Sequence, residues 1–144
     1  MIIDIPRDEP RFYDYSILFD ITNTASTDLR LVDVFVRTVE WSPLEQIVRY
    51  VPYAGISKTR GFFGIIDKDL QNYRASLPQV DSFLKLTPGE LDAVELMINA
   101  RSEGKYKIEV ELEYSVGGVT DKVIIGPFSD IRFLDRGRID TLPR

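Results

Sequence analysis

The sequence predicts an all-β protein in which antiparallel strands form a single β-sandwich. Residues 105 to 116 alternate polar and apolar side chains without interruption, which is typical of a strand with one wet face and one buried face. Other stretches repeat this alternation, with turn-forming residues between them. No long stretch has the apolar spacing of an amphipathic helix, so the apolar faces of the strands must cover one another.

The first part of the chain contains two predicted strands and a short helix. Residues 13 to 22 carry apolar side chains at odd positions, and residues 23 to 28 supply turn formers. The stretch from Leu29 to Trp41 is apolar on both faces, which predicts a long strand that is bulged or covered on both sides. Residues 42 to 45 read Ser-Pro-Leu-Glu, a helix-start pattern, so a helix to about Tyr50 is predicted.

Residues 42 to 82 form a long mid-chain connection between the strands of the sandwich. Residues 61 to 66 within it are apolar and contain glycines at 61 and 64, which predicts a short strand. Residues 67 to 77 are predicted to form one or two helical turns before Pro78.

The second half of the sandwich is more regular. The Leu-Thr-Pro-Gly-Glu sequence at 86 to 90 predicts a turn, and residues 92 to 100 a half-buried strand. Gly117-Gly118 predicts a tight hairpin that returns residues 119 to 128 antiparallel to residues 105 to 116. Residues 129 to 144 form a C-terminal extension too apolar for a solvated tail. We expect it to lie back on its own sheet, to fray, or to pack on a second copy as a homo-oligomer.

The composition fits one domain over residues 1 to 144 and excludes several kinds of site. The chain of 144 residues has no cysteine and no histidine, so it offers no disulfide, thiol nucleophile, Ser-His-Asp relay or Cys/His zinc site. A net charge of -5 disfavours non-specific binding to nucleic acid. No signal peptide or apolar run of membrane-spanning length is found, which for a complete gene product predicts a cytoplasmic protein without membrane contact. No cofactor is predicted.

The order of elements from residue 80 to 128 resembles the E and F strands of immunoglobulin-like and fibronectin type III-like sandwiches. The resemblance rests on the turn at 86 to 90, the strand at 92 to 100 and the strand opened by Gly104-Lys105-Tyr106. It implies that the Tyr106 hydroxyl bonds back to the chain upstream, as in a tyrosine corner. The chain departs from antibody domains because it lacks paired cysteines and because Trp41 ends its strand. The superfamily implies an architecture and no single function.

Aromatic and basic residues gather between residues 41 and 74. This segment holds five basic and three acidic residues, whereas the rest of the chain holds 13 basic and 20 acidic. Aromatic residues and Arg are typical of interface centres, although buried aromatics that cap the core would give the same composition. The candidate binding residues are Trp41, Arg49, Tyr50, Tyr53, Arg60, Phe62, Phe63 and Arg74.

Acidic residues give weaker signals. Asp67, Asp69 and Asp81 could offer oxygen ligands to Ca²⁺, but the EF-hand spacing is missing, so no metal site is predicted. Glu109, Glu111 and Glu113 form a stripe on one strand face, where we expect pairing with Lys122 and other cations rather than docking of a partner.

These observations predict a non-catalytic protein-interaction or structural module, for example a component of a phage or of another large bacterial assembly, with a protein partner. The alternative is a carbohydrate-binding module that uses Trp41, Tyr50 or Tyr53 as a stacking platform. An enzyme that works through two carboxylates is the least supported hypothesis, because no pair at the required separation stands out.

Overall fold

The computed structural model describes residues 1–10, 14–44, 60–69, 71–75 and 84–134, and the regular structure in these ranges is all β-strand. A four-stranded first sheet has the order β1-β2-β7-β4, and a second sheet has the order β5-β3-β8-β9 with β6 also paired to β3. No helix in the described ranges is long and apolar enough to cross a membrane. The strands are β1 (Ile2–Pro10), β2 (Asp14–Thr22), β3 (Leu29–Ser42), β4 (Arg60–Ile66), β5 (Asn72–Arg74), β6 (Lys85–Leu86), β7 (Leu91–Ala100), β8 (Gly104–Val116) and β9 (Val119–Phe133).

The two sheets share one apolar core, an arrangement compatible with a β-sandwich. Residues at odd positions of β2 and at even positions of β7 and β8 are buried in it, as the alternation predicts. Tyr15 of β2 meets Phe128 of β9 edge to face, with ring centroids 6.2 Å apart, so the contact joins the two sheets. Each large apolar side chain fully buried in such a core contributes about 1.5–3 kcal/mol of transfer free energy.

The long strand β3 is bulged, as its mixed pattern predicted. Its pairing with β8 shifts register between Leu31 and Asp33 and again between Thr38 and Glu40. The predicted hairpin is also present, with β8 and β9 antiparallel around Gly117 and Gly118, whose φ angles of 58° and 79° suit a tight turn. The all-β fold class with mostly antiparallel sheets is therefore confirmed.

Two expectations on strands and helices were wrong, and one strand was missed. The pair β4 and β7 is parallel, so the first sheet is mixed rather than wholly antiparallel. Residues 72–74, expected in helical turns, form the edge strand β5, which pairs with β3. Strand β1 was not predicted at all. The helix expected up to Tyr50 lies largely outside the described residues.

The C-terminal extension begins later than expected. Strand β9 continues past Phe128 to Phe133, and Ile131, Phe133 and Leu134 are buried in the core. The described part of this segment therefore lies back on its own sheet. Residues 135–144 are outside the described ranges, and a homo-oligomer contact through them stays a prediction.

Candidate functional site

The solvent-facing side of the second sheet, called here the outer face, carries the most distinctive surface of the described residues. Register pairing places the odd residues of β8 on this face, opposite Phe35 and Arg37 of β3 and Ile124 of β9. The even residues of β8 point into the core, so the strand separates the two environments residue by residue.

Two apolar side chains of the outer face, Phe35 and Ile124, flank Glu111 and are called here the apolar patch. Phe35 is half-buried, whereas Ile124 is 60% exposed on a face that is otherwise charged. The two side chains lie at the same level of the sheet, because Glu111 pairs with Phe35 on one side and with Ile124 on the other. They border a shallow depression of about 160 Å³ whose remaining lining is Arg37, Asn72, Glu109 and Glu111.

Ion pairs lie between and beside the two residues of the apolar patch. Arg37 Nη2 lies 2.6 Å from Glu109 Oε2, and Lys122 Nζ lies 3.7 Å from Glu111 Oε1. The expected pairing of the acidic stripe with Lys122 and other cations is thus confirmed for two of its three members. Such partly exposed pairs contribute only about 0.2–1 kcal/mol each to stability. Their main effect is to give the patch a polar rim.

A cleft of about 550 Å³ opens at the other end of the same face, where the second sheet bends. The bulge of β3 before Glu40 and a register shift between Tyr106 and Ile108 in the β8–β9 pairing occur at the same level of the sheet. Strand β9 also changes direction there, with positive φ angles at Gly126 and Asp130. The cleft is lined by Glu40, Trp41, Ser42, Lys105, Tyr106, Lys107, Ser129, Asp130 and Arg132.

Three cations and two carboxylates face this cleft. Lys107 Nζ is 3.9 Å from Glu40 Oε1, and Arg132 Nη2 is 3.4 Å from Asp130 Oδ1, so both ion pairs are long. Lys105 is exposed and has no ion-pair partner among the described residues. It stands directly opposite Arg132 in the β8–β9 register, which places two like charges side by side.

Trp41, the first of the predicted binding residues, lines the cleft but has little free ring surface. It is half-buried, and Lys68 Nζ lies over its ring, 5.4 Å from the centroid. The indole also packs closely on Gly104: a Cβ added to that glycine would be 2.1 Å from Trp41 Nε1. The indole therefore serves as a packed wall of the cleft.

A hydrogen-bond network holds this end of the molecule. The Tyr106 hydroxyl donates to the Ser102 carbonyl at 2.5 Å, and Ser102 Oγ donates to Asp67 Oδ1 at 2.6 Å. Thr38 Oγ1 donates to the Asp67 carbonyl at 2.8 Å. Burial raises the pKa of Tyr106, and the Ser102 hydrogen bond lowers the pKa of Asp67 below its usual value. The hydroxyl bond expected of Tyr106 is therefore present and ties β8 to the turn that precedes it, and the Ser102–Asp67 bond joins that turn to the chain that follows β4.

Two of the three aspartates weighed as calcium ligands, Asp67 and Asp69, accept hydrogen bonds from donors of the protein itself, and Asp81 lies outside the described residues. Asp69 Oδ1 accepts a hydrogen bond from the Tyr73 hydroxyl at 2.6 Å, and that bond raises the pKa of Tyr73. Asp67 accepts from Ser102 and from the Lys68 backbone N–H. Within the described ranges, no group of three or more carboxylates lies close enough to hold a metal ion.

The other predicted binding residues do not form one cluster with Trp41. Phe62 is buried in the core at 7% exposure, and Arg74 lies beside the apolar patch, 2.9 Å from Asp33. Phe63 is half-buried on β4, and Arg60 begins that strand. Arg49, Tyr50 and Tyr53 lie outside the described residues.

Sequence reasoning missed the residues that the structure does bring together, namely Phe35, Ile124, Lys105 and Arg132. The alternation of polar and apolar residues in β8 placed Lys105 on the solvent-facing side of the strand. No local sequence pattern indicated that it would lie opposite Arg132. That alignment depends on the register of the β8–β9 hairpin and on its irregularities.

Comparisons with known proteins add no assignment. No protein-family model matches the chain. A search of curated proteins also finds no significant match.

Proposed function

We propose that this chain is a non-catalytic protein-interaction module with an immunoglobulin-like β-sandwich, and that the outer face is its binding surface. The strand order supports the first part: β1-β2-β7-β4 follows the A-B-E-D sheet of that fold, and β3-β8-β9 follows C-F-G. The Tyr106 hydroxyl bond, near the start of the F-equivalent strand β8, is a second point of agreement. The parallel pairing of β4 with β7 is a departure from this pattern.

The observation that carries the binding proposal is the apolar patch with its rim of ion pairs. Ile124 is exposed and Phe35 is half-buried on either side of Glu111, and the ion pairs Arg37–Glu109, Lys122–Glu111 and Arg74–Asp33 lie next to them. Apolar side chains bordered by charged groups are common in protein interfaces. Burial of Ile124 and Phe35 by a partner would supply the anchor, and the charged rim would set orientation.

The chemistry of the side chains supports a non-catalytic role. The chain lacks His and Cys, which removes the thiol nucleophile and the histidine proton carrier that act at neutral pH. Asp67, Asp69, Glu109 and Glu111 already accept hydrogen bonds or ion pairs from neighbouring side chains. The protein is proposed to act within a larger assembly, where rigid interaction modules are common.

The carbohydrate-binding alternative is less well supported. A sugar-stacking platform needs an open aromatic face, whereas the Trp41 ring is covered by Lys68 and packed on Gly104. The other two aromatic residues of that hypothesis, Tyr50 and Tyr53, lie outside the described residues.

A pull-down with a matched pair of variants tests the binding surface. The full chain is immobilised and exposed to lysate of the native host as wild type, Ile124→Ser and Val119→Ser. Both substitutions truncate exposed apolar residues, but Val119 lies at the hairpin tip, away from the patch. We expect the retained protein to fall about tenfold with Ile124→Ser, equivalent to roughly 1.4 kcal/mol, and to be unchanged with Val119→Ser.

Circular dichroism and urea unfolding check that both variants keep the fold. Equal recovery of the same partner by Ile124→Ser and wild type would move the interface away from the apolar patch. Loss of recovery with Val119→Ser alone would place it at the hairpin tip.

A further inference from the structure

We propose that the cleft beside Trp41 binds the carboxylates of an extended acidic peptide segment, contributed by the protein partner. This inference rests on the proposed interaction function and names the chemistry of the partner. The cleft and the apolar patch are neighbouring parts of the outer face with different lining residues. Lys107 of the cleft and Glu109 of the patch are two residues apart on β8.

The cleft has an excess of one positive charge, because three cations and two carboxylates line it and Lys105 has no ion-pair partner among the described residues. Lys105 and Arg132 are directly opposite each other on paired strands, and like charges in that position destabilise a sheet. The carboxylate nearest to Arg132 is Asp130 at 3.4 Å, and both side chains of that pair are more than half exposed. An external carboxylate placed between Lys105 and Arg132 would relieve their repulsion.

The spacing of the cations matches that of side chains along an extended peptide. Lys105 and Lys107 project from alternate positions of β8 on the same face, so their Cα atoms are about 6.6 Å apart. Carboxylates at alternate positions of an extended peptide have the same repeat. The planar guanidinium of Arg132 can donate two parallel N–H hydrogen bonds to one carboxylate. The spacing of these cations, two of which also face Glu40 and Asp130, therefore suits carboxylates that repeat along an extended segment better than a compact single anion.

The cleft is large enough and open enough for a peptide to enter. Its volume of about 550 Å³ lies in the range of ligand-binding clefts. Strand β9 pairs only with β8 among the described strands, so its other edge is open in that part of the chain. A peptide segment can reach the cleft from that edge while a larger partner body covers the patch.

The test uses the single tryptophan of the chain as a reporter, because Trp41 lines the cleft. Capped hexaglutamate is titrated into the full chain at constant ionic strength, with capped hexaglutamine and inorganic phosphate as parallel probes. We expect a saturable change in Trp41 emission with hexaglutamate, with a Kd below about 1 mM, and no saturable change with hexaglutamine or phosphate.

Variants locate the binding. Lys105→Gln combined with Arg132→Gln should weaken hexaglutamate binding at least tenfold, whereas Lys122→Gln, on the same face but outside the cleft, should leave it unchanged. Because the double variant removes two like charges, we expect its urea midpoint to be equal to or above that of wild type.

Three results would overturn the inference: no saturable response to hexaglutamate, equal affinity in the double variant, or saturation by phosphate as strong as by the peptide. None of these affects the proposed interaction function, which depends on the Ile124→Ser pull-down. Conversely, if hexaglutamate binds as expected while Ile124→Ser recovers the partner as well as wild type does, the cleft proposal stands and the apolar patch is not the interface.

Discussion

Replacement of Gly104 by alanine is the sharpest test of how the cleft wall is built. Gly104 begins β8 and is buried, and a Cβ at this position would lie 2.1 Å from Trp41 Nε1 and 2.8 Å from Trp41 Cε2. It would also lie 2.9 Å from the Ser42 carbonyl oxygen. The backbone of Gly104 is not in the left-handed region, so the requirement for glycine is steric.

The magnitude follows from the movement that the indole must make. Carbon and nitrogen atoms in contact prefer about 3.5–4.0 Å, so Trp41 must shift by more than about 1 Å. Overpacking of this kind costs about 1–3 kcal/mol. We expect the upper end, roughly 3 kcal/mol, because the Ser42 carbonyl belongs to β3 and cannot move independently of the sheet. For a domain of this size that cost lowers Tm by roughly 10 °C.

Urea unfolding followed by Trp41 emission measures both effects, since the chain has one tryptophan. Gly104→Ala should lower the midpoint and shift native-state emission to the red as the indole is displaced towards solvent. Gly61→Ala is the matched control, because its Cβ would find its nearest neighbour, the Glu95 carbonyl, at 4.0 Å. That control should be neutral or stabilising by up to about 1 kcal/mol.

A second background separates the two clashes at Gly104. In the Trp41→Leu variant, which has no tryptophan and whose unfolding is therefore followed by circular dichroism, Gly104→Ala should cost much less than in wild type if the indole is the main obstacle. Wild-type stability and unchanged emission of Gly104→Ala would refute the packing argument. A cost of unchanged size in the Trp41→Leu background would assign the clash to the Ser42 carbonyl.

Three further substitutions test the core and the hydrogen-bond network. Tyr106→Phe should lower the free energy of unfolding by about 1 kcal/mol through loss of the Ser102 bond. Tyr114→Phe, half-buried on the same strand, is the control and should leave stability unchanged. Equal urea midpoints for the two variants would show that the bond does not contribute to stability. Val110→Asp should unfold the domain, because Val110 is fully buried, whereas Glu111→Gln should change stability by less than about 1 kcal/mol; similar circular dichroism losses for both would contradict the strand assignment. The pKa of Asp67 is lowered in the folded state, so its ionised form stabilises the fold at pH values above 3.8, the usual pKa of an Asp side chain. That contribution is lost as the pH falls through the lowered pKa of the folded state. Asp67→Asn should therefore lose less stability than wild type on acidification, and parallel curves of midpoint against pH would count against this.

Local covalent geometry explains why the alternation predicted so much of the fold. Successive side chains of a strand point to opposite faces, so the burial of Val110 and the exposure of the Glu111 face follow from sequence order alone. The bond from Tyr106 to Ser102 spans four residues, so it too depends on a short stretch of chain. Gly117-Gly118 predicted the hairpin because few residues accept two consecutive positive φ angles.

Contacts between distant segments were decided only by the tertiary structure. Strand β4 pairs with β7 in parallel, and its local sequence is compatible with either direction of pairing. Glu95 occupies a predicted wet position of β7 but is 3% exposed and accepts a hydrogen bond from Ser16 Oγ at 2.7 Å, because that part of the sheet is covered.

The composition of the candidate site was also decided by the tertiary structure and not by local sequence. The apolar patch joins Phe35 with Ile124, and the cleft joins Lys105 with Arg132, across strand pairs whose bulges set the register. A shift of one residue in either register would send these side chains to the opposite face of the sheet. Sequence periodicity determines which residues each strand presents, whereas the register between strands, fixed by the whole core, determines which of them meet.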